Sequence, residues 1–230
     1  HNNFYMVNEI TTINHTIWAI VPAAGIGKRM QSVIPKQYLP LNDRPVLEHT
    51  VNTLLHNKYI SGLVIALQAD DEAWSDIRLQ SDKPVLRTTG GAERADSVLN
   101  ALDKLFAHEP FDAENDWVMV HDAVRPCLSQ HDIDKLVTEV ASDDSGGLLA
   151  LPVRDTMKRQ QAATVDAPAR VEQTVDRENL WHALTPQYFQ AKHLKDALYS
   201  AKQQGLLITD ESSAMEMAGY TPLLVQGHED

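Results

Sequence analysis

The feature that most constrains this chain is a short apolar run at residues 17–21, which leads directly into a loop of small residues. The run is rich in β-branched residues and has no polar face, which predicts a strand buried inside a parallel sheet. A loop without large side chains lets its backbone approach a ligand, and amides at a turn into a helix attract anions. The residues that we expect to surround a phosphate group here are Pro22, Ala23, Ala24, Gly25, Gly27 and Lys28.

Three cations, Lys28, Arg29 and Lys36, stand beside this loop. A dinucleotide-binding fingerprint would have a third glycine where Met30 stands, and a Walker A loop would have Gly-Lys-Ser/Thr after a longer spacing. The chain has neither arrangement. Cations on the loop itself favour a nucleoside triphosphate whose phosphorus is attacked, because negative charge then grows on its oxygens and must be neutralised. Lys28 fits general anion attraction better than a specific contact.

Beyond the loop, short apolar runs alternate with segments of helical periodicity. We predict strands at 62–67, 85–89, 117–120, 146–153 and 223–225, and helices at 45–55, before Pro110, at 191–204 and at 212–218. Strands separated by helices need crossover connections, which favour a mostly parallel sheet covered on both faces. We therefore predict an α/β, three-layer, Rossmann-like single domain spanning 1–230.

The alternating pattern breaks at residues 154–177, where a polar loop separates two stretches of strand-like residues, 156–159 and 170–175. This segment has little apolar material with which to pack against the domain. Two interpretations fit: a solvated surface hairpin, or a protruding β-arm that pairs with another subunit.

Composition excludes several classes of partner. The chain has 20 Lys plus Arg against 32 Asp plus Glu, and a net charge of −12 argues against nucleic acid or an anionic membrane as partner. Its one cysteine, Cys127, excludes an internal disulfide and suits a reducing compartment. No segment reaches the roughly 18 to 20 apolar residues of a membrane span, and no signal peptide precedes the first strand. We predict a cytoplasmic protein, with residues 1–5 a cloning remnant before Met6.

Two further clusters carry candidate chemistry. Paired glycines, Gly90 and Gly91, end the strand at 85–89 and let backbone groups approach a base, while Arg94 and Ser97 share one face of the next helix. The fourth strand ends at 121–126, the edge where open α/β sheets place ligands.

At that strand end Asp122 could ligate Mg²⁺ or accept a substrate hydroxyl, and a purely structural role competes with both. Arg125 could bind a substrate phosphate or pair with Asp122. The histidines have no metal-ligand spacing along the chain, so we assign none of them as a ligand.

Residues 22–30, together with the Pro-Lys-Gln-Tyr-Leu stretch at 35–39, resemble the signature of the 2-C-methyl-D-erythritol 4-phosphate cytidylyltransferase family. The likeness extends from about Trp18 to the last residue. It implies transfer of CMP from CTP to the methylerythritol phosphate, with release of pyrophosphate after in-line attack on the α-phosphorus. It also implies a Mg²⁺ cofactor and a homodimer whose arms, at 154–177, reach across the interface.

The resemblance carries roles to individual positions. It implies that Arg29 and Lys36 stabilise the transition state, that Arg94 and Ser97 contact the nucleotide, and that the acceptor is bound by Thr156, Arg177 and Thr209. Arg177 would act as a catalytic residue in the active site of the partner subunit. Ala92 stands where relatives often have Asp, and the family's acceptor-binding lysine would lie beyond Asp230, in a continuing tail.

Other functions remain open from the sequence. The same chemistry could act on another polyol phosphate, such as ribitol 5-phosphate. A nucleotide sensor could have kept the fold and lost turnover, although binding alone would not need cations aimed at the reacting phosphorus. A sugar-transferring enzyme of related fold would be expected to show an Asp-x-Asp metal pair, for which only the stretch at 121–123 stands in a comparable place.

Overall fold

The computed structural model describes residues 13–25 and 34–228. Its strands are β1 (Ile17–Ala23), β2 (Pro40–Leu41), β3 (Arg44–Pro45), β4 (Ile60–Leu67), β5 (Val85–Thr89), β6 (Trp117–Val120), β7 (Gly147–Pro152), β8 (Met157–Gln160), β9 (Val171–Val175), β10 (Trp181–Gln190) and β11 (Leu223–Gln226). Its α-helices are α1 (Val46–Leu55), α2 (Arg94–Phe106), α3 (Gln130–Val140), α4 (Ala191–Gln203) and α5 (Glu211–Met217), and 3-10 turns span Lys36–Tyr38 and Ala73–Asp76. The predicted remnant at 1–5, the predicted phosphate-binding residues Gly27 and Lys28, and the predicted catalytic residue Arg29 lie outside the described residues.

Seven strands form one twisted sheet in the order β11-β7-β10-β6-β1-β4-β5. Neighbouring strands pair in parallel except for β10, which runs antiparallel to both β6 and β7. The mostly parallel sheet predicted from the alternation of strands and helices is therefore confirmed.

The central strand β1 is buried on both faces, as its apolar run predicts. Ile17, Ala19 and Val21 pack into one core with α1 and α3, whereas Trp18 and Ile20 pack into a second core with α2, α4 and α5. Side chains of a strand alternate between the faces of its sheet, so an all-apolar strand requires a helix layer on each side. The result is the predicted three-layer α/β fold.

Several elements were not predicted: the short strands β2 and β3, the two 3-10 turns, the helix α3 and the long strand β10. The segment that becomes β10 contains Pro186 and polar residues, which are poor strand signals. Its pairing with β7 is interrupted between Ala183 and Gln187, and this bulge places the proline where no regular ladder bond is needed. Pairing with β6 on one side and β7 on the other makes it a strand.

The segment at 154–177 is a hairpin, as both interpretations of the sequence require. β8 and β9 pair antiparallel in a two-stranded sheet of their own, and every residue from 157 to 174 is exposed. We call this hairpin the arm. It connects β7 to β10 at the end of the sheet where the parallel strands finish. Among the described residues, no helix has the length and apolarity needed to cross a membrane.

Candidate active site

The candidate site lies where β1, β4, β5 and β6 end. Parallel strands finish at the same edge of a sheet, and ligands of open α/β sheets bind outside that edge. Here the edge brings together the loop after β1, the paired glycines after β5 and the residues after β6. The sequence predicted each of these segments separately, and the sheet makes them neighbours.

Two glutamine side chains hold the loop after β1. The amide nitrogen of Gln37 donates to the carbonyl oxygen of Ala23 over 2.9 Å, and that of Gln68 donates to Ala24 over 2.9 Å. Gln37 is buried, and the neighbouring Lys36 is exposed on the same 3-10 turn. The buried amide therefore ties Lys36 to the glycine loop, a role that the sequence analysis did not assign to Gln37.

The paired glycines pack against that same loop. A side chain at Gly90 would collide with Ala24, and one at Gly91 would collide with Asp96. The backbone N–H of Gly91 donates to the hydroxyl of Ser97 over 3.1 Å, and Ser97 is only 3% exposed. The two small-residue loops are thus in contact, and the buried Ser97 hydroxyl holds the second loop through its hydrogen bond with Gly91.

Arg94 is the centre of a charged network at the start of α2. Its Nη1 donates to Oδ1 of Asp122 over 2.5 Å, and its Nε donates to Oε1 of Glu211 over 3.0 Å. The Nε of Arg125 donates to Oδ2 of Asp122 over 3.3 Å. We call Arg94, Asp122, Arg125 and Glu211 the strand-end cluster. The structure realises the pairing of Arg125 with Asp122, one of the two alternatives open from the sequence.

The charges of the cluster compensate one another. A cation in the first turn of a helix is unfavourable because the amides there carry partial positive charge. Burial opposes the charged form of Arg94, but Glu211 and Asp122 outweigh that effect and raise its pKa. Glu211 is 2% exposed and lies 117 residues along the chain from Arg94, so the sequence offered no local signal for this pair.

A neutral histidine positions the backbone of Asp122. Nε2 of His121 lies 3.0 Å from the carbonyl oxygen of Arg125, which can only accept, so Nε2 carries the proton. Nδ1 then accepts from the Thr185 hydroxyl over 2.8 Å, and the same hydroxyl oxygen accepts from the Asp122 N–H over 3.1 Å. Burial lowers the pKa of His121 to about 4, which keeps the ring neutral.

A cavity of about 370 Å³ borders the strand-end cluster. Its walls include Asp122, Arg125 and Thr209, three residues predicted to bind the acceptor, and also Arg94. The other two predicted acceptor residues, Thr156 and Arg177, are exposed on or beside the arm and are not among those that line this cavity. One chain therefore brings together part of the predicted acceptor site.

The chain matches the family model of 2-C-methyl-D-erythritol 4-phosphate cytidylyltransferase (IspD) over residues 17–230. This chain belongs to the IspD family. A relative of that name from Vibrio atlanticus is 48% identical over 221 residues, which cover 96% of this chain and 91% of the relative. One from Aliivibrio fischeri is 50% identical over 215 residues, covering 94% and 87% respectively.

Solved IspD structures share the fold. The crystal structure of Francisella tularensis 2-C-methyl-D-erythritol 4-phosphate cytidylyltransferase superposes with a TM-score of 0.74 at 33% identity, covering 92% of this chain and 90% of that one. The Thermus thermophilus enzyme of the same name gives 0.71 at 27% identity, covering 93% and 89%. The resemblance stated from the sequence motifs is thus confirmed, together with the fold and the cytidylyltransferase class that it implied.

The strand-end cluster is compatible with the Mg²⁺ cofactor that the resemblance of the sequence motifs implied. Mg²⁺ takes oxygen ligands and commonly combines one or two carboxylates with substrate phosphates and water. Asp122 borders the cavity and supplies such oxygens. Arg94 is paired with Glu211 as well as with Asp122, so Asp122 is not the sole ion-pair partner of this guanidinium. The donor set therefore fits.

Proposed function

We propose that this chain transfers CMP from CTP to 2-C-methyl-D-erythritol 4-phosphate, giving 4-diphosphocytidyl-2-C-methyl-D-erythritol and pyrophosphate. Family membership supports the reaction. The observation that carries the assignment of the site is the contact between two glycine-containing loops beside a cavity lined by Arg94, Asp122 and Arg125. Such an edge suits a reaction between two phosphate-bearing substrates.

The chemistry needs positioning and charge neutralisation more than a protein nucleophile. An acceptor phosphate oxygen attacks the α-phosphorus of CTP, and both reactants are anions. The backbone of the loop after β1 holds the nucleotide, and Gly90 and Gly91 give it room to approach because they have no side chains, with Arg94 and Ser97 supporting it. Lys36, together with Arg29, neutralises charge as it grows on the phosphorus oxygens. The tie from Gln37 to Ala23 supports this role, because it fixes Lys36 beside the loop.

Asp122 is the residue that would hold Mg²⁺, with most other ligands coming from the triphosphate. The bound ion would supply further neutralisation of phosphate charge. We assign the reaction to the cytoplasm, on the basis of a single cysteine, Cys127, which is exposed and unpaired in the part of the chain that the structure describes.

The acceptor pocket is completed by two chains in this proposal. Thr209, Asp122 and Arg125 provide one wall, while Thr156 and Arg177 reach the site of a second subunit through the arm. The exposure of every arm residue from 157 to 174 supports this arrangement, because an isolated two-stranded hairpin is only marginally stable in water. Arg177 would grip the acceptor phosphate bidentately, which a guanidinium does well.

The first test measures pyrophosphate release with CTP and Mg²⁺, comparing 2-C-methyl-D-erythritol 4-phosphate with ribitol 5-phosphate. We expect strong preference for the methylerythritol phosphate. Preference for ribitol phosphate would keep the mechanism and replace the acceptor. No release with either acceptor, despite measurable CTP binding, would contradict an enzymatic function and favour a nucleotide sensor.

The second test asks whether the site is shared between chains. Lys36→Ala and Arg177→Ala proteins are each expected to have low activity. Unfolding and refolding them together forms hybrid dimers in which one of the two sites has both residues intact. We expect activity to recover to a substantial fraction of that site's normal rate. Mixed dimers without recovery would show that Arg177 acts within its own chain or not at all.

A further inference from the structure

A second cavity, of about 610 Å³, lies beside the first and shares Arg125, Leu184 and Thr185 with it. Along its wall stand His131, Asp132 and His228, whose ligand atoms all lie within 4.8 Å of one another. Nδ1 of His228 is 2.6 Å from Oδ1 of Asp132, and Nδ1 of His131 is 3.6 Å from that same oxygen. Two imidazole nitrogens therefore converge on one carboxylate oxygen.

The carboxylate at the centre of this group is built into the fold. Asp132 lies in the first turn of α3 and its side chain is only 8% exposed. Its second oxygen, Oδ2, accepts the backbone N–H of His228 over 3.1 Å, which orients the first oxygen toward both rings. The two histidine side chains are 74% and 69% exposed, so they can adjust around a ligand while the carboxylate stays fixed.

The donor set selects the class of ligand. Two imidazole nitrogens and one carboxylate oxygen suit Zn²⁺ and similar divalent transition metals, with a fourth position left for water. Mg²⁺ prefers oxygen ligands throughout, so this site is chemically distinct from the one at Asp122. A simple histidine–carboxylate hydrogen bond would involve only His228, whereas here the His131 ring also approaches the same oxygen and packs edge-on against the His228 ring, with ring centroids 5.5 Å apart.

We propose that His131, Asp132 and His228 bind a divalent transition metal of the Zn²⁺ class. The ion would replace the proton between His228 and Asp132 and draw His131 into its coordination. The sequence analysis assigned no metal-binding histidine, because His131 and His228 lie almost a hundred residues apart and only the position of β11 beside β7 brings them together. The inference does not depend on the cytidylyltransferase reaction.

The experiment uses tag-free, chelator-treated protein, titrated calorimetrically with Zn²⁺ alone in a buffer that contains excess Mg²⁺. We expect one Zn²⁺ per chain, with affinity reduced at least tenfold in His131→Ala and in His228→Ala. His182→Ala, an exposed histidine elsewhere, is the matched control and should bind as the unaltered chain does. Co²⁺ alone should give the intense visible absorption of a tetrahedral site in the unaltered chain and lose it in both histidine variants.

Cys127 lines the same cavity, so a thiol could also attract Zn²⁺. Cys127→Ser should retain the full stoichiometry. The proposal is overturned if His131→Ala binds Zn²⁺ as tightly as the unaltered chain, or if binding is lost in Cys127→Ser but kept in both histidine variants. Because His131 and His228 are largely exposed, both variants should fold, and unchanged circular dichroism would verify this.

Discussion

The strand-end cluster and the arm are opposite ways of placing charged side chains in one molecule. In the cluster, Arg94 has two carboxylate partners from distant parts of the chain, one of them the buried Glu211. In the arm, every residue from 157 to 174 is exposed, and the hairpin forms a sheet of its own. All residues of the strand-end cluster come from one chain, whereas the arm has exposed surface that a second chain could contact.

This difference teaches where the proposed site is preorganised. Ion pairs that are partly removed from water resist rearrangement, so the cluster can hold its geometry before substrate binds. The arm lacks comparable intrachain support, so residues such as Arg177 would gain a defined position only against another surface. Substitutions in the two regions should therefore differ in which measurement they change.

The largest effect is expected at Lys36, on the preorganised edge. Lys36→Ala should lower kcat by about 100-fold to 1,000-fold, in the range seen when one transition-state donor is removed, with CTP affinity changed only a few-fold. Steady-state kinetics and CTP titration measure the two quantities. Lys104→Ala, an exposed lysine in α2, is the control and should leave both unchanged. Unchanged turnover in Lys36→Ala would remove Lys36 from the mechanism.

The same conservative substitution can be made in both regions. Lysine keeps the positive charge but cannot donate to Asp122 and Glu211 at the same time as the guanidinium does. Arg94→Lys should therefore lower the free energy of unfolding by about 1 to 3 kcal/mol and should lower turnover by roughly tenfold or more. Arg159→Lys in the arm should change the unfolding free energy by less than about 0.5 kcal/mol. Urea denaturation checks both. Equal changes in the unfolding free energy at the two positions would contradict the conclusion that the cluster is preorganised and the arm is not.

The neutral His121 gives the cluster region a characteristic pH dependence. Its pKa is about 4 in the folded chain, against an ordinary value of 6.5, and Asp122, Arg125 and Arg94 are the charged groups near it. Below pH 6.5 the unfolded chain binds a proton that the folded chain excludes, so the free energy of unfolding falls as the pH drops from 6.5 toward 4.

His121→Gln retains a donor for the Arg125 carbonyl but cannot titrate. Between pH 6.5 and pH 4, we expect the free energy of unfolding of this variant to fall by about 2 to 3 kcal/mol less than that of the unaltered chain. Urea denaturation at several pH values without Mg²⁺ gives the two curves. His56→Gln, at an exposed histidine, should follow the unaltered chain. A parallel curve for His121→Gln would mean that folding leaves the pKa of His121 near its ordinary value.

The smallest effect is expected at the arm. Val165 is 92% exposed, so Val165→Asp should leave the melting temperature of the dilute protein unchanged. If the arm contacts a second subunit, the same change should raise the dimer dissociation constant several-fold, because it places a charge against that subunit. Sedimentation velocity over a range of protein concentrations measures this, with Thr164→Ser as control. A melting temperature that is lowered at all protein concentrations would instead mean that Val165 stabilises the fold of its own chain.

Local patterns in the sequence determined most of the elements and the chemistry of the loops. The all-apolar run of β1 can be buried on both faces only between two helix layers. The small residues that follow it leave the backbone accessible to an anion. The polar hairpin at 154–177 could be recognised for the opposite reason, since it has little apolar surface to bury. These properties depend on neighbouring residues, which is why they were visible without a structure.

Only the tertiary structure decided which distant residues meet. The partners of Arg94, the insertion of β10 between β6 and β7, and the convergence of His131, Asp132 and His228 all follow from strand order. Strand order reflects the packing of the whole sheet and leaves no periodic signal in any one segment. The physical reason is that burial is encoded along the chain, whereas pairing across about a hundred residues arises only once the chain is packed.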